Sequence, residues 1–281
     1  MGLLRDSETG HNGFTLWGIR PFGVLAMNQD TSLAGIIGMG TAPENQPLLR
    51  HGGIALTPGG LRVIGPQSRP YADLNGNEHC LIRALSPMDW HRWLRIDAAS
   101  YADRAGPLPG HLAVTAQEVV RFATASPSKL QAAALIEAWL EESSNRATYS
   151  PDHRLQGLSL IDTIEQAIIN PDVQTAQVLC RITGIHHPAL ARICKLTFGF
   201  TPKLLLCRER FLRSFAAIIP LPRGSWAEAI DPAYVDQSHF IRDSHRFLGM
   251  CPSDFLALTA PMKGAAIRPL SSGHSQTAVA A

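Results

Sequence analysis

Shifted by fifty residues, the segment from Val173 to Phe255 matches itself. Leu190 falls on Phe240, Arg192 on Arg242, Phe198 on Leu248, Gly199 on Gly249 and Pro202 on Pro252. Self-similarity of this kind marks a duplicated structural unit and constrains the fold more than any local propensity. Each copy reads as a short helix, a tight turn, a second helix stopped by glycine, and a further helix opened by proline. Two short helices joined by a turn of roughly three or four residues make a helix-turn-helix, whose second helix enters the DNA major groove.

In the first copy, Thr175–Ile182 is the first predicted helix, with small Cys180 where the two helices approach. Gly184 occupies the turn, where a positive φ is cheapest for glycine, and Ile185 is the buried residue beside it. His187–Phe198 is the second helix, burying Leu190 and Ile193 and turning Arg192 and Lys195 the other way. Thr201-Pro202 caps and opens a helix to about Ile219, which Pro220 and Pro222 break. The second copy gives a helix at Trp226–Asp231, a turn at Ala233-Tyr234, and a helix at Gln237–Phe247 that buries Phe240 and Phe247. Gly249 is a left-handed stop, and Cys251-Pro252 opens a final helix through Leu258. Ahead of both copies, Ser159–Ile169 is amphipathic and ends at Asn170-Pro171.

The first half follows different rules. Ile54–Thr57 and Leu61–Ile64 are short apolar runs separated by Pro-Gly-Gly, the punctuation of a hairpin or meander, and Cys80–Leu85 suits another strand. Ser86-Pro87 then opens a helical segment with Trp90 and Trp93 on one face. Helices follow at Thr115–Thr124, with Thr115 and Glu118 as a capping box, and at Ser128–Glu142. In the latter, Leu135, Ile136, Trp139 and Leu140 form an apolar stripe for a core or, alternatively, a dimer contact. The polar stretch Ser143–Pro151 places a domain boundary near residue 150. The expected class is therefore α+β: a β-rich N-terminal domain with accessory helices over 1–150, then an all-α domain over 151–262. Residues 263–281 read as a disordered tail.

Charge is unevenly spread behind a formal total of +2. From Arg181 to Arg223 eight basic residues face Glu209 alone, a local +7, whereas Gly224 to Ala260 carries two arginines against five acids. A phosphate-binding surface is locally basic whatever the total, so the first copy fits DNA better than the second. The five cysteines are scattered without a CxxC pair, and the chain shows no leader-like start and no apolar run long enough to span a bilayer. A cytoplasmic protein is the expectation.

TPKLLLCRERFLRSFAAI, followed by SWAEAIDPAYVDQSHFIRDSHRFLGMCPSDFL, resembles the C-terminal DNA-binding domain of AraC-type transcription regulators, over roughly residues 160–258. More weakly, VIGPQSRPY…RALSPMDWHRWL…ADRAGPL resembles an N-terminal domain of unknown function in some members. The resemblance implies seven helices holding two helix-turn-helix units, whose recognition helices enter successive major grooves about 34 Å apart. By position it implies Arg192 as the first base reader, with His187 and Ala191 beside it and Lys195 on phosphate. Gln237, Ser238, Ile241 and Arg242 take the second set of reading positions, the amide ends of the Thr201 and Cys251 helices suit phosphate, and Lys203 stands in the first of these. An arginine fork can donate two hydrogen bonds to guanine O6 and N7. The chain departs from the family where Ala233 replaces the usual turn glycine and where Cys194 and Ser244 replace core aromatics. These departures point to a weakened second unit.

Other chemistries find little support. Cys180, His186, His187 and Cys194 lack the short paired spacing of structural zinc sites. Gly35–Gly40 lacks the order of a nucleotide loop, and His51-Gly52-Gly53 has no G-x-S-x-G partner. No catalytic residue, metal or cofactor is expected, and the protein reads as a non-enzyme. The expected partner is double-stranded DNA, with RNA polymerase, a small-molecule effector or a second copy as further candidates. The rival reading is a protein-interaction module on a degenerate helix-turn-helix fold.

Overall fold

In the computed structural model, the described residues are 15–17, 24–28, 35–38, 53–56, 61–68, 71–73, 80–126, 128–145, 151–218, 221, 229–257 and 277–279. Where side chains are described, 69% of residues are helical and 3% are in strands. The expected β-rich N-terminal domain is thereby corrected to a predominantly helical fold.

Strand backbone in the first half comes in short runs: β1 (Thr15–Trp17), β2 (Val24–Asn28), β3 (Gly35–Gly38), β4 (Gly53–Leu56), β5 (Leu61–Ile64), β6 (Tyr71–Asp73) and β7 (Cys80–Ala84). The Pro-Gly-Gly punctuation between β4 and β5 does not close the expected hairpin or meander. β4 pairs with β3, while β5 pairs with β2, Val24 standing opposite Ile64. Gly and Pro mark where a chain turns, not which strand it meets afterwards. The expected tail lies outside the described residues except Thr277–Val279, whose backbone pairs with β7.

Helices carry the N-terminal core. Ser86 caps α1 (Pro87–Asp89): its Oγ accepts the Asp89 amide at 3.0 Å, and the Asp89 carboxylate accepts the Ser86 amide at 2.9 Å. The chain continues through a π-helical turn at Trp90–Leu94 and then α2 (Ala98–Tyr101), α3 (Gly110–Thr124) and α4 (Lys129–Asn145). Trp90, Trp93, Leu112, Ala116, Ile136, Trp139 and Leu140 are buried together, so the two tryptophans set three apart fill a core. Among the described residues, these rings form one buried cluster that also takes in Val63 of β5, and burying aromatic rings removes a large apolar surface from water.

Two helix starts differ from expectation. α3 begins at Gly110, ahead of the supposed Thr115 cap, and the Thr115 hydroxyl instead accepts the Trp139 indole N–H at 2.8 Å, tying α3 to α4. The helix foreseen at Ser159 starts at Pro151 as α5 (Pro151–Ile169), leaving only residues 146–150 between it and α4.

His91, in the π turn, faces α5: a Cβ placed on Gly157 would sit 3.3 Å from His91 Nε2. Desolvation, then the charge of Arg95, lowers the His91 pKa below the ordinary histidine value. In the unfolded chain His91 protonates near pH 6.5, so acidification through that range favours unfolding. Stability is expected to fall as pH drops from about 7 to 5, and His91→Gln to flatten that slope, read from urea midpoints at each pH.

Candidate nucleic-acid interface

The first expected pair is α6 (Ala176–Thr183) and α7 (His187–Phe198). Thr175 Oγ1 accepts the Val178 amide at 3.3 Å to start α6, and Gly184 ends it in the left-handed region at φ +69. His186 Nδ1 accepts the Ala189 amide at 3.2 Å, Pro188 occupies the first turn of α7, and Gly199 stops it at φ +81. These are local capping devices, legible wherever the side chains are known.

Leu190, Cys194 and Phe198 anchor α7 in a core with Leu179 of α6, Ile161, Ile164 and Ile168 of α5, and Leu205 and Leu206 of α8 (Pro202–Ile218). The anchors recur every four residues, so the opposite face turns outward. Arg192 is exposed there with Lys195 beside it, Ala191 on the flank is half-buried, and His187 is exposed at the start of the helix, on the anchors' own side. At the start of α8, Thr201 Oγ1 accepts the Leu204 amide at 3.4 Å, and Thr201 and Lys203 are both exposed.

Burial, followed by the neighbouring Cys180, pushes the Cys194 thiol up to about 12. It stays protonated and inert at neutral pH, as befits a small core residue. Among the described residues no group of three or more His, Cys, Asp or Glu is arranged to hold a metal ion.

In the second copy, the first helix expected at Trp226–Asp231 lies partly outside the described residues, and Ala229 and Ile230 form a turn and a bend. Ala233 shows how the turn manages without glycine. Its amide donates to Asp231 Oδ1 at 2.9 Å, an Asx turn, and it is not among the residues with positive φ. Asp236 caps α9 (Gln237–Leu248) by accepting the His239 amide at 2.7 Å, and Gly249 stops it at φ +79. Gln237, Ser238 and Arg242 are exposed and Ile241 is half-buried; Arg242 Nε donates back to the Ser238 carbonyl at 3.3 Å. Ser244 is fully buried, and its hydroxyl donates to the Met250 carbonyl at 2.7 Å. This buried position thus holds a satisfied polar contact before α10 (Pro252–Ala257).

The basic run from Arg181 to Arg223 does not form a single outward surface. Arg208 is 1% exposed and lies inside α8's packed face. Arg210 lies 3.6 Å from the Asp243 carboxylate and over the Tyr234 ring, whose hydroxyl donates to Asp243 at 2.9 Å. Arg213 pairs with Asp231 at 3.3 Å and donates to the Ile169 carbonyl. Much of the basic excess from Arg181 to Arg223 is therefore internal, and two of the five acids in the second copy are its partners. The outward cations of the first copy, among the described residues, are Arg181, Arg192, Lys195 and Lys203. Sequence reasoning missed the Tyr234–Asp243–Arg210 cluster. The opposed charge of the two adjoining segments was the signal that could have found it.

Among the described residues no helix is long and apolar enough to cross a membrane. Compared with known families, curated proteins and solved structures, the chain matches none of them.

Proposed function

We propose that this protein is a cytoplasmic, sequence-specific DNA-binding transcription regulator of the AraC type, gripping the major groove mainly through α7. The observation that carries the reading is the outward placement of Arg192 and Lys195 on a helix whose opposite side is anchored by Leu190, Cys194 and Phe198. Arg192 supplies base discrimination through its two-pronged donor. Arg181, Lys195 and Lys203 supply salt-dependent attraction to phosphate. In α9 the corresponding Arg242 is bonded to its own helix, and the Asp236 carboxylate sits at the end that would meet phosphate. That difference is why the first helix dominates.

Selection of bound fragments from random DNA supplies an operator on which the reading is tested. Arg192→Ala is expected to cost about 1–3 kcal/mol of specific affinity, and Arg242→Ala clearly less. Equal losses reject the dominance of α7; no retention of any fragment at low salt rejects the DNA reading itself.

A further inference from the structure

The C-terminal end of α7 is not covered by its own helical neighbours alone. Gly199, its left-handed cap, lies under the N-terminal half: an added Cβ there would stand 3.0 Å from Pro66 Cγ and 3.3 Å from the Ala98 carbonyl of α2. Ala102, just past α2, packs against the core that anchors α7. Pro66 itself is buried and held on several sides. Gly65 N–H donates to the Arg104 carbonyl and Asp103 N–H to the Pro66 carbonyl, both at 2.8 Å. The Ser68 amide and hydroxyl both donate to the Asp103 carboxylate, at 2.6 and 2.9 Å. Asp103 adopts φ +56 to do this, a conformation that is costly outside glycine and persists only where its surroundings fix it.

This clasp is continuous with the N-terminal core, since Tyr101 of α2 meets Trp90 edge-on at 5.8 Å between ring centres. At 1.5 Å per residue, Arg192 lies about 10 Å up α7 from Gly199. The contact reaches the end of α7 and leaves His187, Arg192 and Lys195 exposed.

We infer that the Pro66 loop and α2 form a wedge through which the N-terminal half sets the position of α7, making Pro66, Asp103 and Ala98 positioning residues for whatever α7 grips. The inference rests on the DNA reading above. A change in the N-terminal core that moves α2 is transmitted to the outward face of α7 as a change in its tilt.

The test uses the full chain with two loosening variants, Pro66→Ala and Asp103→Gly; the latter keeps the positive φ and removes the carboxylate. Hydrogen exchange reports the wedge without DNA, and operator binding reports its consequence. Each variant is expected to lose amide protection around Phe198–Phe200 while α6 stays protected. Each is also expected to bind the selected operator about 5- to 150-fold more weakly, the span of ordinary site-to-site couplings, with unaltered affinity for random DNA. Unchanged protection, protection lost throughout α6 and α7, or lost local protection with unchanged operator affinity would each overturn the wedge. Wild-type chain that retains no DNA fails the DNA reading first, and the exchange result then stands separately on whether the contact exists.

Discussion

Replacing Phe211 with alanine will lower the unfolding free energy by about 3–5 kcal/mol, the cost of emptying a large aromatic site in a close-packed interior. Phe211 is fully buried on α8, with ring centres 5.4 Å from Phe215, 5.5 Å from Phe240 and 5.4 Å from Phe247. Two of these partners lie on α9, so the ring joins the third helix of the first copy to the second helix of the next. Its loss leaves a void that neither helix can fill alone. A urea titration measures the change. Val235→Ala at an 89% exposed position provides the contrast and should stay within about 0.5 kcal/mol. A loss at Phe211 no larger than that would mean α8 and α9 are not packed through this cluster.

Asp243→Ala is expected to cost about 3–5 kcal/mol, because it leaves the cation of a mostly buried pair without its counter-charge. The Asp243 and Arg210 side chains are only 10% and 12% exposed, and the same carboxylate accepts the Tyr234 hydroxyl. Burial and the Asp243 charge both raise the Tyr234 pKa, so the phenol stays protonated and remains the donor. Tyr234→Phe removes only that bond and should cost nearer 1 kcal/mol. The pairing is tested by a cycle with Arg210→Met, in which Asp243→Ala should cost much less once no cation is stranded. An equal penalty in both backgrounds would show that Arg210 does not depend on Asp243.

Several of the sequence expectations rested on local chemistry, and those fared well. The limits of α7, the left-handed glycines at 184 and 249, and the starts at Thr201-Pro202 and Ser86-Pro87 each depend on hydrogen bonds spanning a few residues. The outward placement of Arg192 followed from the four-residue recurrence of its buried neighbours. Three of the failures share a different cause. Thr115 has the look of a cap, but its hydroxyl is taken by Trp139, twenty-four residues away. β4 and β5 are adjacent in sequence, yet each pairs with another strand. The basic run from Arg181 looked like one surface until Arg208, Arg210 and Arg213 turned inward.

The order of residues by itself determined where most of the helices in the repeated half begin and stop, and which side of α7 faces water. Caps, turns and helical periodicity involve neighbours within about one turn, and those neighbours are written side by side in the chain. Only tertiary structure decided that Trp90, Trp93, Ile136 and Trp139 share one buried cluster, that the two copies pair charges across Arg210–Asp243 and Arg213–Asp231, and that Pro66 reaches Gly199. Each of those outcomes depends on which distant groups meet once water is excluded. A charge or a ring has no fixed role until burial chooses its partner.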